Sequence, residues 1–415
     1  MKQSLRILAL GLAAGFLLVT KADAQFLQDL QNYRSPSQDG INVFEAPKEA
    51  ADEDMDHIFL RPGGDFAIQF QALEQENDLD NLVELAPNLT LPSANLNIDV
   101  QFTPGVRMHL RTYLSSKHHN EAWVKGGYFQ IDDLNFIQDG FLSDVMQYTR
   151  VRVGMDEINY GDTHFRRSDN AGALFNPFVE NYIMDSFTTE PFAEVTVMKD
   201  GFLGVAGVSN GRLNQTPTPG DDGVALFGKL GYDRQVSDDV RVRLTGSIYH
   251  STKESTRDYL YNGDRAGSRY HKVLNTEEIT NDFMPRFNPG FANLTAYMLN
   301  PFVRFAGLEF FGVAEMAIDG ESDANYTQLG GELLYRFGNR EQFYVGTRYN
   351  MVTGETAEGL EQDINRFNVG GGWFLTPNVL SKVEYVTSSY DGAGFTDHLA
   401  GAKYNGVVVE AVISF

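Results

Sequence analysis

The sequence predicts an all-β protein, a transmembrane antiparallel up-and-down β-barrel of about sixteen strands. Three observations predict it. From residue 64 onward the chain breaks into segments of roughly ten residues in which apolar and polar side chains alternate, the period of a strand with one greasy and one wet face. The connections between these segments alternate in length, short then long, as they do when every other turn lies on the same side of a membrane. The last segment sets Val407, Val409, Ala411, Ile413 and Phe415 on one face and Gly406, Val408, Glu410, Val412 and Ser414 on the other. A soluble sandwich has no reason to alternate loop length along its whole extent.

The first residues concern export. Lys2 and Arg6 are followed by an apolar run from Ile7 to Val19 and by Ala22-Asp23-Ala24, so residues 1–24 read as a secretory signal peptide cleaved before Gln25. The run is shorter than the ~20 residues a spanning helix needs. No later apolar run is longer, and lipid tolerates only helices and closed sheets, so residence in a membrane is as a barrel. No Cys stands at the cleavage point to carry a lipid. The 415 residues include no Cys, 40 Gly, 30 Phe and 19 Tyr, a composition that suits strands and turns. Net charge is −23, and about −25 without residues 1–24, which argues against nucleic acid as a partner.

Residues 25–63 form an acidic, irregular N-terminal segment, with Glu45, Glu49, Asp52, Glu53, Asp54 and Asp56 and no sustained heptad. It reads as a flexible lead-in; the alternative is a segment that folds into the barrel mouth and biases ion flow. The barrel proper is read over 64–415. Its first strand is 64–74, with Phe66, Ile68 and Phe70 on one face, followed by 95–103 and, after Pro104-Gly105, by 106–115. Pro then Gly suits the centre of a type II turn. Segment 121–131 alternates poorly, and 147–157 sets Val151, Val153 and Met155 against Arg150 and Arg152. Strands at 191–199 and 202–210 are joined through Asp200-Gly201, a strong hairpin signal. The rest are 223–234, 240–250, 293–305, 308–318, 326–337, 342–353, 364–375, 379–389 and 403–415, the last pairing with the first to close the wall. Residues 132–146 are the exception to the alternation: a short turn is expected where a long one stands.

In a membrane barrel the apolar face meets lipid and the alternate residues line the lumen, because a cation on the lipid face costs roughly 2–4 kcal/mol at midplane. Phase then points Arg107, His109, Arg111, Arg150, Arg152, Arg241 and Arg243 inward from three early strands. Glu309, Glu315, Glu332, Glu384 and Glu410 point inward from later ones, beside Arg336, Arg348, Arg366 and Lys382. Two rows of opposite sign would set a transverse field across the lumen and tune ion selectivity; the alternative is that the charges pair across neighbouring strands. The long connection 158–190 carries Phe165, Phe175, Phe178 and Tyr182 with Arg166, Arg167 and Asp169, more large apolar groups than a solvated loop needs. It is expected to fold inward as a constriction.

The amphipathic terminal strand ending in Phe415 resembles the C-terminal signal of Gram-negative outer-membrane barrels. With the signal peptide, sixteen strands and a long loop after the fifth, the chain resembles the sixteen-stranded outer-membrane porins. The run Glu121-Ala-Trp-Val-Lys-Gly-Gly-Tyr and Arg150-Val-Arg-Val-Gly with the loop after it resemble the phosphate-selective porin O and P relatives. The resemblance implies a homotrimer in the lipid of the cell outer membrane, and an arginine ladder that Arg107, Arg111, Arg150, Arg152, Arg166 and Arg167 would supply; the many acidic residues depart from that pattern. The expected function is a water-filled channel for passive diffusion of small polar solutes or ions, anions included. The alternative is a structural or adhesive barrel without an open channel.

An enzyme is not expected. Asp397-His398 with Asp132-Asp133 or Asp221-Asp222 has the residue types of an outer-membrane aspartyl-type protease, but adjacent acids are common on polar loops. There is no G-x-S-x-G elbow, no Gly-rich phosphate loop and no Cys/His cluster, and His118-His119 without a third ligand makes a weak metal site. No metal or cofactor is called for.

Overall fold

The computed structural model describes residues 30–48, 55, 58–116, 122–170, 172–212, 223–251, 260–264, 266–291 and 293–415. The signal-peptide reading, His118-His119, Asp221-Asp222 and the acidic residues Glu49, Asp52, Glu53, Asp54 and Asp56 lie outside these residues. The wall is a closed antiparallel barrel of sixteen strands, each paired with its sequence neighbours and the last with the first. The strands are β1 (Phe59–Glu76), β2 (Asn88–Thr103), β3 (Val106–Leu114), β4 (Trp123–Ile131), β5 (Thr149–Glu157), β6 (Thr189–Lys199), β7 (Phe202–Ser209) and β8 (Ala225–Gln235). They continue as β9 (Val240–Ser251), β10 (Leu294–Phe305), β11 (Leu308–Asp319), β12 (Asn325–Phe337), β13 (Phe343–Glu355), β14 (Glu361–Thr376), β15 (Val379–Asp391) and β16 (Lys403–Ser414).

Closure follows the expected pairing, Asp65 opposite Ser414 through Glu76 opposite Lys403. Phe415 extends it: its amide donates to the Gly64 carbonyl and its carbonyl accepts from the Gly64 amide, both at 3.0 Å. A Cβ on Gly64 would stand 3.1 Å from the Phe415 ring and 2.8 Å from the Asn95 carbonyl, so the bare backbone is what lets the terminal aromatic lie flat on the seam. Removing Phe415 strips two ladder bonds and an exposed aromatic from the seam. The expected result is a fall in folded barrel recovered from the membrane, read as heat-shifted migration on a gel; normal insertion of that variant would sink the idea.

β1 starts at Phe59, earlier than residue 64, and β2 at Asn88, earlier than 95. Pro62-Gly63-Gly64 reads as a breaker, yet the ladder carries through it, with Phe59 opposite Gln101 and Pro62 opposite Ile98. The β2 ladder holds Phe59 to Gly63 in register beyond the point where β16 begins to pair, so local propensity is overridden. The hairpin turns follow their chemistry. Gly105 has φ +72, as the third residue of a type II turn requires, and Asp200 and Gly201 both have positive φ, the type I′ geometry. Between β4 and β5, where a short turn is expected, residues 132–148 form an excursion with one helical turn, α1 (Ser143–Met146).

The outside is apolar, with Phe66, Ile68, Phe70, Leu226, Leu230, Leu244, Ile248, Leu299, Val303, Val407, Val409 and Ile413 all exposed. At the short-turn rim Phe337, Phe343 and Trp373 stack in series at 5.6 and 5.9 Å, and Phe102, Phe202, Phe305 and Phe415 are exposed along the same edge. An apolar band edged by aromatics is the exterior of a barrel that sits in lipid.

Candidate solute pathway

Of the ten residues expected to line the pathway, the eight on strands point into the barrel and Arg166 and Arg167 stand on a loop inside it, so none of them faces an empty lumen. Three segments enter the barrel. One is the N-terminal stretch 30–48, a strap across the mouth on the short-turn side. At one end the Gln38 amide donates to the Pro377 carbonyl at 2.7 Å, and its side chain donates to the Arg340 and Glu341 carbonyls. In the middle Asn42 donates to Glu309 at 2.7 Å, and its carbonyl accepts from Arg241 at 2.9 Å. At the other end Lys48 donates to the Asp132 and Thr149 carbonyls, both at 2.6 Å. Residues 30–48 of the N-terminal segment are thus folded into the mouth, the second of the two arrangements its composition allowed, while Phe59 to Gly63 belong to the wall as the start of β1.

The second segment is the connection 158–188. It leaves β5, crosses the lumen and is held by the far wall. Lys382 on β15 donates to the Ala173, Asn176 and Phe178 carbonyls, Arg348 on β13 to the Glu180 carbonyl, and Tyr344 to the Pro177 carbonyl. Phe178, Val179, Tyr182 and Ile183 are buried there, as the apolar excess of this loop predicts. The third segment lies within the long connection between β9 and β10, whose sequence is polar and carries no strand period. Its Arg269 and His271 carbonyls accept from Gln69 and Gln71, and the Pro285 carbonyl accepts from Tyr390 and Arg366. Arg167 joins the two loops: it contacts Asp185 at 2.5 Å and Asp264 at 2.6 Å, and Arg286 reaches the same two carboxylates.

The charged wall is paired rather than split into rows. Arg107 meets Asp99 at 3.2 Å, Arg111 meets Asp156 at 3.2 Å, Arg150 meets Asp132 at 2.9 Å and Arg152 meets Glu194 at 3.2 Å. Arg241 pairs with Asp233 at 2.7 Å, and Arg243 takes Asp162 and Glu45, each at 2.8 Å. On the other side Glu309 and Glu332 are both bound by Arg166, at 2.9 and 2.8 Å, and have Arg336 and Arg348 besides. Glu410 sits 2.6 Å from Lys382. The expected transverse field is therefore replaced by local neutrality. The register is the reason: Arg152 stands opposite Glu194, Asp233 opposite Arg243, Glu332 opposite Arg348 and Lys382 opposite Glu410. Away from water an unpaired charge is strongly unfavourable, so the ladder sets each beside its opposite. Glu315 differs: its carboxylate accepts from Tyr261, Tyr160 and Gln328, all neutral donors.

Several of these partners escape a reading of single strands. Lys229 on β8 reaches Asp162 at 2.9 Å and Glu45 at 3.3 Å, joining wall, loop and strap, and Lys125 on β4 contacts Asp169. The cross-strand acids were within reach of the sequence through register alone; the strap and the third segment carried no periodic signal. The electrostatics of the inserted segments follow from burial and pairing. Burial opposes ionisation of Asp162, but Lys229 and Arg243 overcome it and hold its carboxyl below the usual range. Burial pushes Arg34 down to about 9, with Glu157 pulling the other way. His164 is pushed down by burial as well, with the nearby Glu157 carboxylate pulling the other way.

Strap, loop and the wall from β2 to β6 enclose a cavity of about 170 Å³, lined among others by Arg34, Arg111, Arg152, Glu157, Phe165 and Phe175. Asp132, raised as half of a catalytic acid pair, is engaged by Arg150 and Lys48. His398 contacts its own neighbour Asp397 at 3.6 Å. Among the described residues no three His, Asp or Glu gather as a metal site would need.

No family model and no characterised protein sequence matches the chain. Solved structures do match. An anion-selective porin from Comamonas acidovorans aligns with a TM-score of 0.54 at 8% identity, over 86% of this chain and 100% of its own. OmpF of Salmonella typhi, in complex with daunomycin, aligns at 0.54 and 11% identity over 86% and 97%. OmpT of Vibrio cholerae in its trimer form aligns at 0.52 and 11% over 87% and 100%. At such identities the likeness is one of fold: the chain shares the closed antiparallel barrel of these outer-membrane proteins, and its lipid-facing belt places it in an outer membrane.

Proposed function

We propose that the protein is a porin-type channel for passive diffusion of small polar solutes, with a modest preference for anions, and that the strap and the two inserted loops restrict its flow. The observation that carries the reading is the inward set of wall charges beside a cavity lined by Arg34, Arg111 and Arg152. A wall built only to hold a barrel together would fill with apolar side chains, whereas sixteen strands leave room for water. The resemblance to the phosphate-selective relatives is supported by Arg107, Arg111, Arg150 and Arg152 standing on neighbouring parts of the wall, and it is weakened by the acid beside each. A homotrimer is part of the proposal. Phe136, Ile137, Leu142 and Val145 on the β4–β5 excursion are exposed, and a neighbouring subunit would cover them.

Planar-bilayer recording tests it. Stepwise openings are expected, with a reversal potential in a salt gradient displaced weakly towards anions, since the guanidiniums that reach the cavity lie next to carboxylates. Strong cation selectivity would refute the arginine part of the argument. A second reading, a barrel closed to flow, is favoured by one observation: three segments enter the lumen, and the cavity between strap, loop and wall is small. No openings over many insertions would support that reading.

A further inference from the structure

We propose that the cavity between strap, loop and arginine wall is a binding site for a small zwitterion of the α-amino-acid class, its carboxylate at Arg34 and its ammonium at Glu157. This deepens the channel reading and rests on it only for the route by which the solute arrives.

The donor end is Arg34. Its guanidinium donates from Nε to the Gly40 carbonyl at 2.9 Å and from Nη1 to the Phe165 carbonyl at 3.0 Å, and lies 3.7 Å from the centre of the Phe175 ring. Among the described residues it makes no ion pair, unlike Arg107, Arg111, Arg150 and Arg152 on the wall. Arg152 lines the same cavity, and its Nε has no acceptor among the described residues. The acceptor end lies where β5 gives way to the loop. Glu157 Oε2 accepts from Asn170 at 3.0 Å, while Oε1 is 3.9 Å from His164 Nδ1, a long contact. Asn170 Oδ1 and Asp169 Oδ1, both buried, have no donor among the described residues. Glu157, Asp169 and Asn170 all line the cavity.

One guanidinium without a carboxylate and three acceptors short of a donor are complementary to one kind of molecule. An ammonium carries three donors, and a carboxylate accepts from a guanidinium in pairs. A simple anion would leave the acceptor end empty and meet Glu157 and Asp169; a simple cation would leave Arg34 unmatched among the arginines. The cavity of about 170 Å³ is close to the ~150 Å³ that holds a benzene, which admits a solute of about six heavy atoms such as alanine. The aromatic faces of Phe165 and Phe175 suit a small apolar side chain.

Calorimetric titration of the folded full-length protein in detergent, with L-alanine, sodium acetate and ethylammonium chloride as separate probes, tests the site. Alanine is expected to bind, and each one-ended probe to bind at least about tenfold more weakly, the cost of one charged hydrogen-bonded end. Arg34→Gln and Glu157→Gln should each weaken alanine by a similar factor. Acetate binding as tightly as alanine would reduce the site to an anion site and overturn the proposal, as would an unchanged affinity in Arg34→Gln. Arg34 lies on the strap, outside the wall, so its variant decides the question even where Glu157→Gln does not fold. A barrel that conducts but binds no alanine sinks this site and leaves the channel standing; one that binds alanine and never opens does the reverse.

Discussion

A chain lacking residues 30–48 is expected to fold and to pass several times the current of the full chain. The strap is bound at both ends of the mouth and in its middle, so it obstructs the lumen as a bar rather than as a plug. Its removal leaves few wall charges orphaned. Arg243 keeps Asp162 and Asp233, Lys229 keeps Asp162, Arg150 keeps Asp132, and Glu309 keeps Arg166 and Arg336. The barrel ladder is untouched, because no strap residue belongs to a strand. Single-channel conductance of the two chains, compared at equal salt, decides the matter. Equal conductance would mean that the two inserted loops alone set the resistance, and the strap would lose its role.

The second large effect is expected at Arg166. One guanidinium there bridges Glu309 and Glu332 and donates to Asn42 on the strap at 2.5 Å, with the Phe311 ring 4.9 Å away. It is buried, and the two carboxylates more than offset the cost of burial, holding its pKa above the usual value. Arg166→Ala leaves two carboxylates that share no cation, an arrangement that costs roughly 3–5 kcal/mol where burial is this complete. Arg336 and Arg348 remain beside them, so the lower figure is the better guide. The loss should fall on the loop and strap rather than on the ladder: amide exchange over 158–170 should speed up while exchange in β11 to β13 stays slow. Arg166→Lys should not restore protection, because Nη2 meets both carboxylates while Nη1 donates to Asn42 on the strap, and one compact ammonium cannot span the two positions. Unchanged exchange in the loop would remove Arg166 as the latch.

The two variants touch parts of the molecule that were unequally legible beforehand. Val407 to Phe415 announced a strand, its lipid face and its place at the seam, because a period of two survives whatever the rest of the chain does. The same logic turned Arg107, Arg150, Arg243 and Glu309 inward without any structure, since lipid leaves a charged side chain one tolerable direction. The aromatic residues of 158–190 announced an inward fold through their excess over what a solvated loop needs. Segment 121–131 alternated poorly because Gly126 and Gly127 interrupt the pattern; β4 pairs with β5 only from Gly127 to Ile131.

What the wall encloses belonged to the tertiary structure. Gln38, Asn42 and Lys48 are polar residues of an irregular segment, and nothing in their order separates a solvated lead-in from a strap. Their partners lie on turns and strands that only closure brings together, Pro377 at one side of the mouth and Asp132 at the other. Arg269 and Arg286 are in the same position: polarity places a loop in water, and a barrel lumen is a polar place too. For the same reason the rows of charge foreseen from strand phase became pairs. Phase decides which face a charge takes, whereas neutrality depends on which residue the ladder and the inserted loops set beside it. A two-residue period is a local property and is written in the chain; a contact across the lumen joins residues far apart in sequence, Gln38 with Pro377 or Lys382 with Phe178, and is decided when the barrel closes.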